Sequence, residues 1–356
     1  MTINSIRTRA GRVVSATNNW KARRANTRKL PHAEEQFRLS YSKYWQGGVV
    51  PPSAQTDLFL ATWASGGTFP RSLATSMSPS FDLTRADKLP NSVLSGLNPA
   101  HVADAVTKNG YYVWNERLSD DLVDSIKAHM DAGPADPRGD AVRDIGPGAP
   151  APTAPTWWMQ PRYTIQSEPV QQLLHEQNLI SSAAAYLGSD PVLASMIMWT
   201  SFAWPLADST SAQLFHYDLD RSNFIKMFVY LTDVDDTNGP HVYVPNSHHS
   251  KPKELLSGER ITDARVREHF PESTWQTITG KKGTVFFADT QGFHKGARVE
   301  AGSRTILQFN LASDRFGYEP APPIGDVSEI PNTLLELAAA YPRFFSQLYK
   351  GSSPIA

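Results

Sequence analysis

The chain has 356 residues, 40% of them hydrophobic, a formal net charge of −1 and no cysteine. Such a length buries a sizeable core, and the missing thiols exclude disulfides, zinc–thiolate sites, iron–sulfur clusters and a cysteine nucleophile, so any metal must sit on His, Asp or Glu. The near-neutral balance gives no global field for nucleic acid, and the longest apolar runs, such as residues 224–231, fall short of the roughly 20 residues that span a bilayer.

In chain order, residues 1–95 are rich in Arg, Ser, Thr and Pro and show little sustained periodicity, apart from a short helix predicted around residues 34–44. Their start is locally basic: Arg7, Arg9, Arg12, Lys21, Arg23, Arg24, Arg28 and Lys29 precede the first acidic residue, Glu34. This reads as a solvated or subunit-contacting arm, with organellar targeting and an anionic partner as alternatives; it has no apolar stretch of the secretory kind. Absence of disulfides suits a reducing cytoplasm.

From Asn98 the pattern tightens into a helical run, then "NGYYVWNERL" as turn and strand, then Ser119 capping the helix "DDLVDSIKAHM". A Ser followed by two Asp residues brings a side-chain oxygen and negative charge to unpaired backbone N–H groups. Residues 133–156, dominated by Gly, Pro and Ala, predict a long loop, read as a gating lid. A helix is predicted over residues 170–187, closed by Gly188, and strands dominate from there to about Leu311. The expected organisation is an extension of little regular structure over 1–95 and one domain over 96–356, with its core at about 195–315.

The segment "SAQLFHYDLDRSNFIKMFVYLTDVDDTNGPHVYVPNSHHS" carries most of the chemistry. His216 and Asp218 are two apart, so an extended backbone projects both to one face. His294, in "VFFADTQGFHKGARV", stands at a strand-like end from which it can return to them. Two imidazoles and one carboxylate on one side of an ion leave the opposite positions open, as iron(II) oxygenases require for co-substrate and dioxygen. In "FIKMFVYL", Ile225, Met227, Val229 and Leu231 share an apolar face, while Phe224, Lys226, Phe228 and Tyr230 share the other. In "RTILQFNL", Arg304, Ile306, Gln308 and Asn310 form a comparable polar-containing face, best explained by a polar cavity. Ten residues after His294, Arg304 presents a planar guanidinium that suits the distal carboxylate of 2-oxoglutarate.

These residues resemble the phytanoyl-CoA dioxygenase family. "NGYYVWNERLSDDLVDSI" is similar to its opening turn, strand and helix, "AAAYLGSDPVL" to its second helical segment, and "QLFHYD" to its Q-x-x-H-x-D strand. "LTDVDDTNGPHVYVPNSHH" resembles its stretch from L-x-D-V to P-G-S-H, with Asn246 in place of the usual Gly, and "FHKGARVEAGSRTILQF" its distal His and Arg. The resemblance runs collinearly over roughly residues 98–315. It implies a mostly β fold with flanking helices around a double-stranded β-helix, or jelly roll. It also implies an iron(II)- and 2-oxoglutarate-dependent dioxygenase that hydroxylates an unactivated C–H bond of a small-molecule substrate. By position, Met198 and Phe228 are expected against 2-oxoglutarate, and Gln213 near it or beside the metal. Halogenating relatives lack the carboxylate that Asp218 supplies, which favours hydroxylation or a related oxidation.

Trp157, Trp158, Arg162 and Tyr163 follow the expected lid and are read as lining the substrate entrance. Lys226 and Arg298 are candidates to attract an acidic substrate group. His241, His248 and His249 are read as structural. Two other functions fit less well: a non-catalytic jelly-roll binding module, and a metalloenzyme that uses the same ligands without 2-oxoglutarate. Neither has a use for Arg304 together with an intact triad. No nucleic-acid partner and no membrane span are expected, and the sequence leaves oligomeric state open.

Overall fold

The computed structural model describes residues 27–81, 92–138, 154–204, 213–256 and 260–317, and the short pieces 325–326, 338–339, 341–346 and 349–350. The basic arm up to Asn26 lies outside the described residues. No helix among those described is long and apolar enough to cross a membrane.

Three helices come first: α1 (Ala33–Gly47), α2 (Ala54–Ser65) and α3 (Thr68–Met77). Segment 1–95 was expected to hold little regular structure beyond one helix, and this corrects that expectation. The helices share a core of Phe37, Tyr41, Tyr44, Leu58 and Leu73 closed by Phe316 from beyond the jelly roll. The buried positions of α2 run almost without a break from Asp57 to Thr62. A helix covered on several sides has no apolar stripe to announce it.

The next part matches the local signals. Helix α4 (Pro99–Asn109) starts at Asn98, whose side chain accepts from the N–H groups of Ala100 and His101. It ends at Gly110, whose φ of 89° lets the chain reverse into strand β1 (Tyr111–Arg117). Ser119 caps α5 (Asp120–Ala132), which buries Val123, Ile126 and Met130 at helical spacing. The single helix predicted over 170–187 is instead α7 (Glu168–Leu174) and α8 (Gln177–Leu187), following the short α6 (Pro161–Thr164). The break falls at Glu176, which takes an extended backbone and accepts from the N–H groups of Ser92 and Leu94 and the Ser92 hydroxyl.

The chain then builds two facing antiparallel sheets. The larger contains β2 (Ala135–Arg138), β3 (Thr156–Met159), β4 (Val192–Phe202), β5 (Phe224–Tyr230), β8 (Thr284–Ala288) and β10 (Ser303–Ala312), in the order β1-β8-β5-β10-β4-β3-β2. The smaller has the order β7-β6-β9, formed by Gln276–Ile278, His241–Tyr243 and His294–Gly296. Isolated bridges His216↔His294 and Phe215↔Ile261 extend it by two further segments. This is the double-stranded β-helix with flanking helices.

Strand parity places the side chains. Ile225, Met227, Val229, Leu307, Phe309 and Leu311 form one core with α4, α5, α7 and α8. Phe228, Tyr230, Phe286 and Ile306 face the other way and pack with Tyr243 and Ile278 of the smaller sheet. The long loop predicted over 133–156 is shorter at both ends, since β2 and β3 pair as the outermost ladder. Pro137 is tolerated there because an edge strand needs no N–H on its open side. Residues 139–153, the middle of the expected lid, lie outside the described residues.

Candidate metal and co-substrate site

His216 and Asp218 lie on an extended segment just before β5, and His294 begins β9. Reciprocal hydrogen bonds between the backbones of His216 and His294, both 2.9 Å, hold the two histidines side by side. The Asp218 N–H donates to Thr290 O at 2.8 Å, tying the third residue to the turn that precedes His294. One ligand atom from each of His216, Asp218 and His294 lies within 4.8 Å of the others. His216 Nε2 is 3.9 Å from one carboxylate oxygen of Asp218, and His294 Nε2 is 3.5 Å from the other.

The histidine tautomers follow from the backbone. Nδ1 of His216 donates to Leu214 O and Nδ1 of His294 to Gly292 O, each at 3.0 Å. A neutral imidazole with its proton fixed on Nδ1 presents the Nε2 lone pair to a metal. Burial, then His294 and Arg260, hold His216 well below the usual imidazole range; burial also lowers His294, against the opposing Asp218 carboxylate. Burial disfavours an ionised Asp218, but the Lys226 ammonium and the two histidines outweigh it and keep the carboxyl below its usual range. The donor set is therefore ready for a divalent cation without first losing protons.

Lys226, expected to meet substrate, is already engaged. Its ammonium sits 2.7 Å from Asp218 and 2.8 Å from Asp220, and the Asn310 amide donates to Asp220 at 3.1 Å. It orients a ligand carboxylate and is not a free cation in the cavity. This corrects the sequence expectation, and the reason is the parity that brings Asp218, Asp220 and Lys226 to one inner face.

Arg304 is the opposite case. Only 6% exposed, its guanidinium has Nε and Nη1 buried with no hydrogen-bond partner. Burial pulls it below its ordinary pKa, against a weaker opposing effect of Tyr230. A buried, unpaired charge is costly unless a counter-ion completes it. Gly296 makes room for it: a Cβ there would stand 3.0 and 3.1 Å from Nη2 and Nη1.

The other sequence candidates divide. Phe228 lies on the inner face, stacked on Phe286 at 4.8 Å between ring centres. Trp158 pairs with Trp199, opposite Ile306, and the two half-buried indoles stack at 5.7 Å. Gln213 is half-buried three positions before His216. Met198, expected against the co-substrate, is opposite Leu307 and packs into the helix-facing core, one position out of phase with the cavity. Trp157 is fully buried opposite Thr200, on that same side of β4, so it does not line the cavity. Arg162 is exposed on α6 with its guanidinium over the Tyr163 ring. Arg298 donates to Trp204 O.

Two further residues join the site, one not singled out in the sequence and one read there as structural. Arg260 stands beside the Phe215↔Ile261 bridge and raises the positive potential at His216 and His294. His241, read as structural, lies against the site: its ring is 5.4 Å from that of His294 and 5.3 Å from that of Phe228, and its Nε2 is buried with no partner. Burial, with His294 and Arg304 nearby, keeps it neutral. Inward parity on β6 was the signal that could have found it. His248 and His249 both turn to Thr107 O, at 3.1 and 2.6 Å, away from the triad.

No curated protein matches the sequence. Among solved structures, AviO1 from Streptomyces viridochromogenes Tue57 is 20% identical, with 63% of this chain and 99% of that chain covered and a TM-score of 0.44. HygX from Streptomyces hygroscopicus, solved with nickel and 2-oxoglutarate bound, is 16% identical over 60% of this chain and 86% of that one, with a TM-score of 0.41. EctD from S. alaskensis with bound Fe is 18% identical over 68% and 88%, with a TM-score of 0.44. The model of the family described as "Phytanoyl-CoA dioxygenase (PhyH)" matches residues 106–305, more than half of the chain, from α4 through the triad to the third residue of β10. The sequence match thus encloses His216, Asp218, His294 and Arg304, and the chain belongs to the phytanoyl-CoA dioxygenase family of iron(II)- and 2-oxoglutarate-dependent oxygenases.

Proposed function

We propose that this protein hydroxylates an unactivated C–H bond of a small-molecule substrate, consuming 2-oxoglutarate and dioxygen and releasing succinate and carbon dioxide. The observation that carries the reading is Arg304, whose buried guanidinium has Nε and Nη1 without a partner, on the face of β10 that sends Ile306 toward the smaller sheet. His216, Asp218 and His294 are the residues to hold iron(II), and Arg304 the one to grip the distal carboxylate of 2-oxoglutarate. When bound, the metal supplies dioxygen activation coupled to decarboxylation of the keto acid.

The remaining work falls to the chain. Nδ1–H bonds to Leu214 and Gly292 carbonyls aim both imidazoles, and Lys226 holds the Asp218 carboxylate in place. Arg304 fixes the direction in which a five-carbon diacid lies. Phe228 and Phe286 line the cavity with apolar rings, which excludes water from a reactive centre. The stacked Trp158 and Trp199 offer a flat apolar wall for substrate. Asp218 occupies the position that a halide needs in halogenating relatives, so hydroxylation is favoured.

The test is anaerobic titration of the protein with iron(II) and 2-oxoglutarate, following the weak visible charge-transfer absorption of the chelate. The band is expected in the wild type and absent in His216→Ala. A folded, metal-loaded protein that forms no band would refute the reading; a band justifies screening substrates by succinate release.

A further inference from the structure

We infer that His241 is a second binding residue for the co-substrate, donating from its imidazole to the same distal carboxylate that Arg304 grips. The inference rests on the reading that 2-oxoglutarate occupies this cavity. Three facts of placement carry it. His241 pairs in register with Gly296 across the β6–β9 ladder. Gly296 is also the residue against which the Arg304 guanidinium rests, at 3.0 and 3.1 Å from the position of an added Cβ. The two basic side chains thus meet one glycine from opposite sheets, and that glycine carries no side chain to come between them.

The second observation is that both are orphaned there. Nε2 of His241 and Nε and Nη1 of Arg304 are all buried without a hydrogen-bond partner. One orphan in a native interior has many explanations, whereas orphaned nitrogens on two basic side chains that share Gly296 as a neighbour call for a shared acceptor. A carboxylate, with two oxygens and several lone pairs, can accept from the Arg304 guanidinium and the His241 imidazole at once.

His241 is not a fourth metal ligand. Its ring stacks on that of His294 at 14° and 5.4 Å, side by side, and its nitrogens lie outside the group that converges within 4.8 Å. The ring is packed at a tilt against Phe228 and Phe286, each 5.3 Å away between centres, so its direction is set before any ligand arrives. Pre-set donors bind with little further loss of conformational freedom.

The experiment compares two keto acids in the wild type, His241→Phe and His241→Gln, by the same anaerobic charge-transfer titration. 2-Oxobutanoate keeps the chelating end of 2-oxoglutarate and lacks the distal carboxylate. Phe keeps the ring that packs against Phe228 and Phe286 and removes both nitrogens. Removal of a donor to a charged acceptor predicts a tenfold or greater rise in the Kd for 2-oxoglutarate in His241→Phe, an unchanged Kd for 2-oxobutanoate, and partial recovery in His241→Gln. Equal affinities in wild type and His241→Phe would overturn the assignment, as would equal loss for both keto acids, which would point to the metal or the packing. A wild type that forms no band with either acid would instead bring down the co-substrate reading itself.

Discussion

The jelly-roll site and the helical layer in front of it are built from the same kinds of residues, yet they declare themselves very differently in the sequence. In the site, extended backbone sends alternate residues to opposite faces, so His216 with Asp218, and Arg304 with Ile306, Gln308 and Asn310, sort themselves by parity alone. In the layer formed by α1 to α3, what matters is made across long sequence separations. The Tyr41 hydroxyl donates to buried Asp314 at 2.5 Å, Ser40 donates to Asp57, and Arg71 reaches Asp289. A strand carries its instructions in a few consecutive letters, whereas a helix buried on several sides carries them in its partners.

The comparison also shows that the layer is not an appendage. Arg71 on α3 forms an ion pair with fully buried Asp289 and donates to Tyr186 at 2.8 Å, while Tyr186 donates to Asp289 at 2.6 Å. Asp289 in turn accepts from the Gln291 N–H at 3.0 Å and shapes the turn that delivers His294. The illegible region thus braces the legible one.

The largest expected effect sharpens the contrast on the side of the site. Asp218→Ala should abolish 2-oxoglutarate turnover while leaving a folded protein, measured by succinate release beside a thermal melt. Coupled turnover surviving in that variant would remove the ligand assignment. Next comes the brace. Arg71→Met leaves Asp289 buried without its cation, which predicts a loss of about 3–5 kcal/mol in urea unfolding. It also predicts iron(II) affinity about 10- to 100-fold weaker, as for other supports of ligand geometry. Stability lost with metal affinity unchanged would return the layer to the status of an extension.

The same pair gives a pH prediction. Burial raises Asp289 but Arg71 outweighs it, so its folded pKa lies below the unfolded value near 3.9. Its contribution is complete above that value and is lost as pH falls through the lower, folded one. Arg71→Met should therefore start acid unfolding at a higher pH. Buried His175 acts over a different window. Burial lowers it to about 4, so the unfolded chain takes up a proton first as pH falls below about 6.5, and stability drops from there to about 4. His175→Phe, which keeps the stack on Phe345, should flatten that part of the profile.

What was legible follows the length scale of the signal. The convergence of the triad and the inward face of Arg304 are readable because ligand chemistry fixes residue types and alternation fixes faces. Lys226 was misread, because nothing in its own strand announces Asp220 as a second partner. Met198 was placed one residue out of phase, since a motif position does not reveal which side of β4 faces the cavity, whereas pairing with Leu307 does. His241 reads as structural in the sequence because a strand of three residues is too short for its inward parity to stand out. The Glu176 break within the predicted helix depends on N–H groups more than eighty residues earlier, beyond any local window.

The smallest expected effect tests the most legible element of all. Ser119 accepts from the Leu122 N–H at 3.4 Å, long for a hydrogen bond and exposed to competing water, so Ser119→Ala should cost near the lower end of the capping range, about 0.5–1 kcal/mol. The helix itself should persist, because Val123, Ile126 and Met130 are buried against the main core, and packing supplies most of a helix's stability within a fold. A loss above about 2 kcal/mol in urea unfolding would mean that α5 depends on its cap more than on its core face. A local signal would then both announce this helix and hold it, unlike the distant contacts that hold α1 to α3.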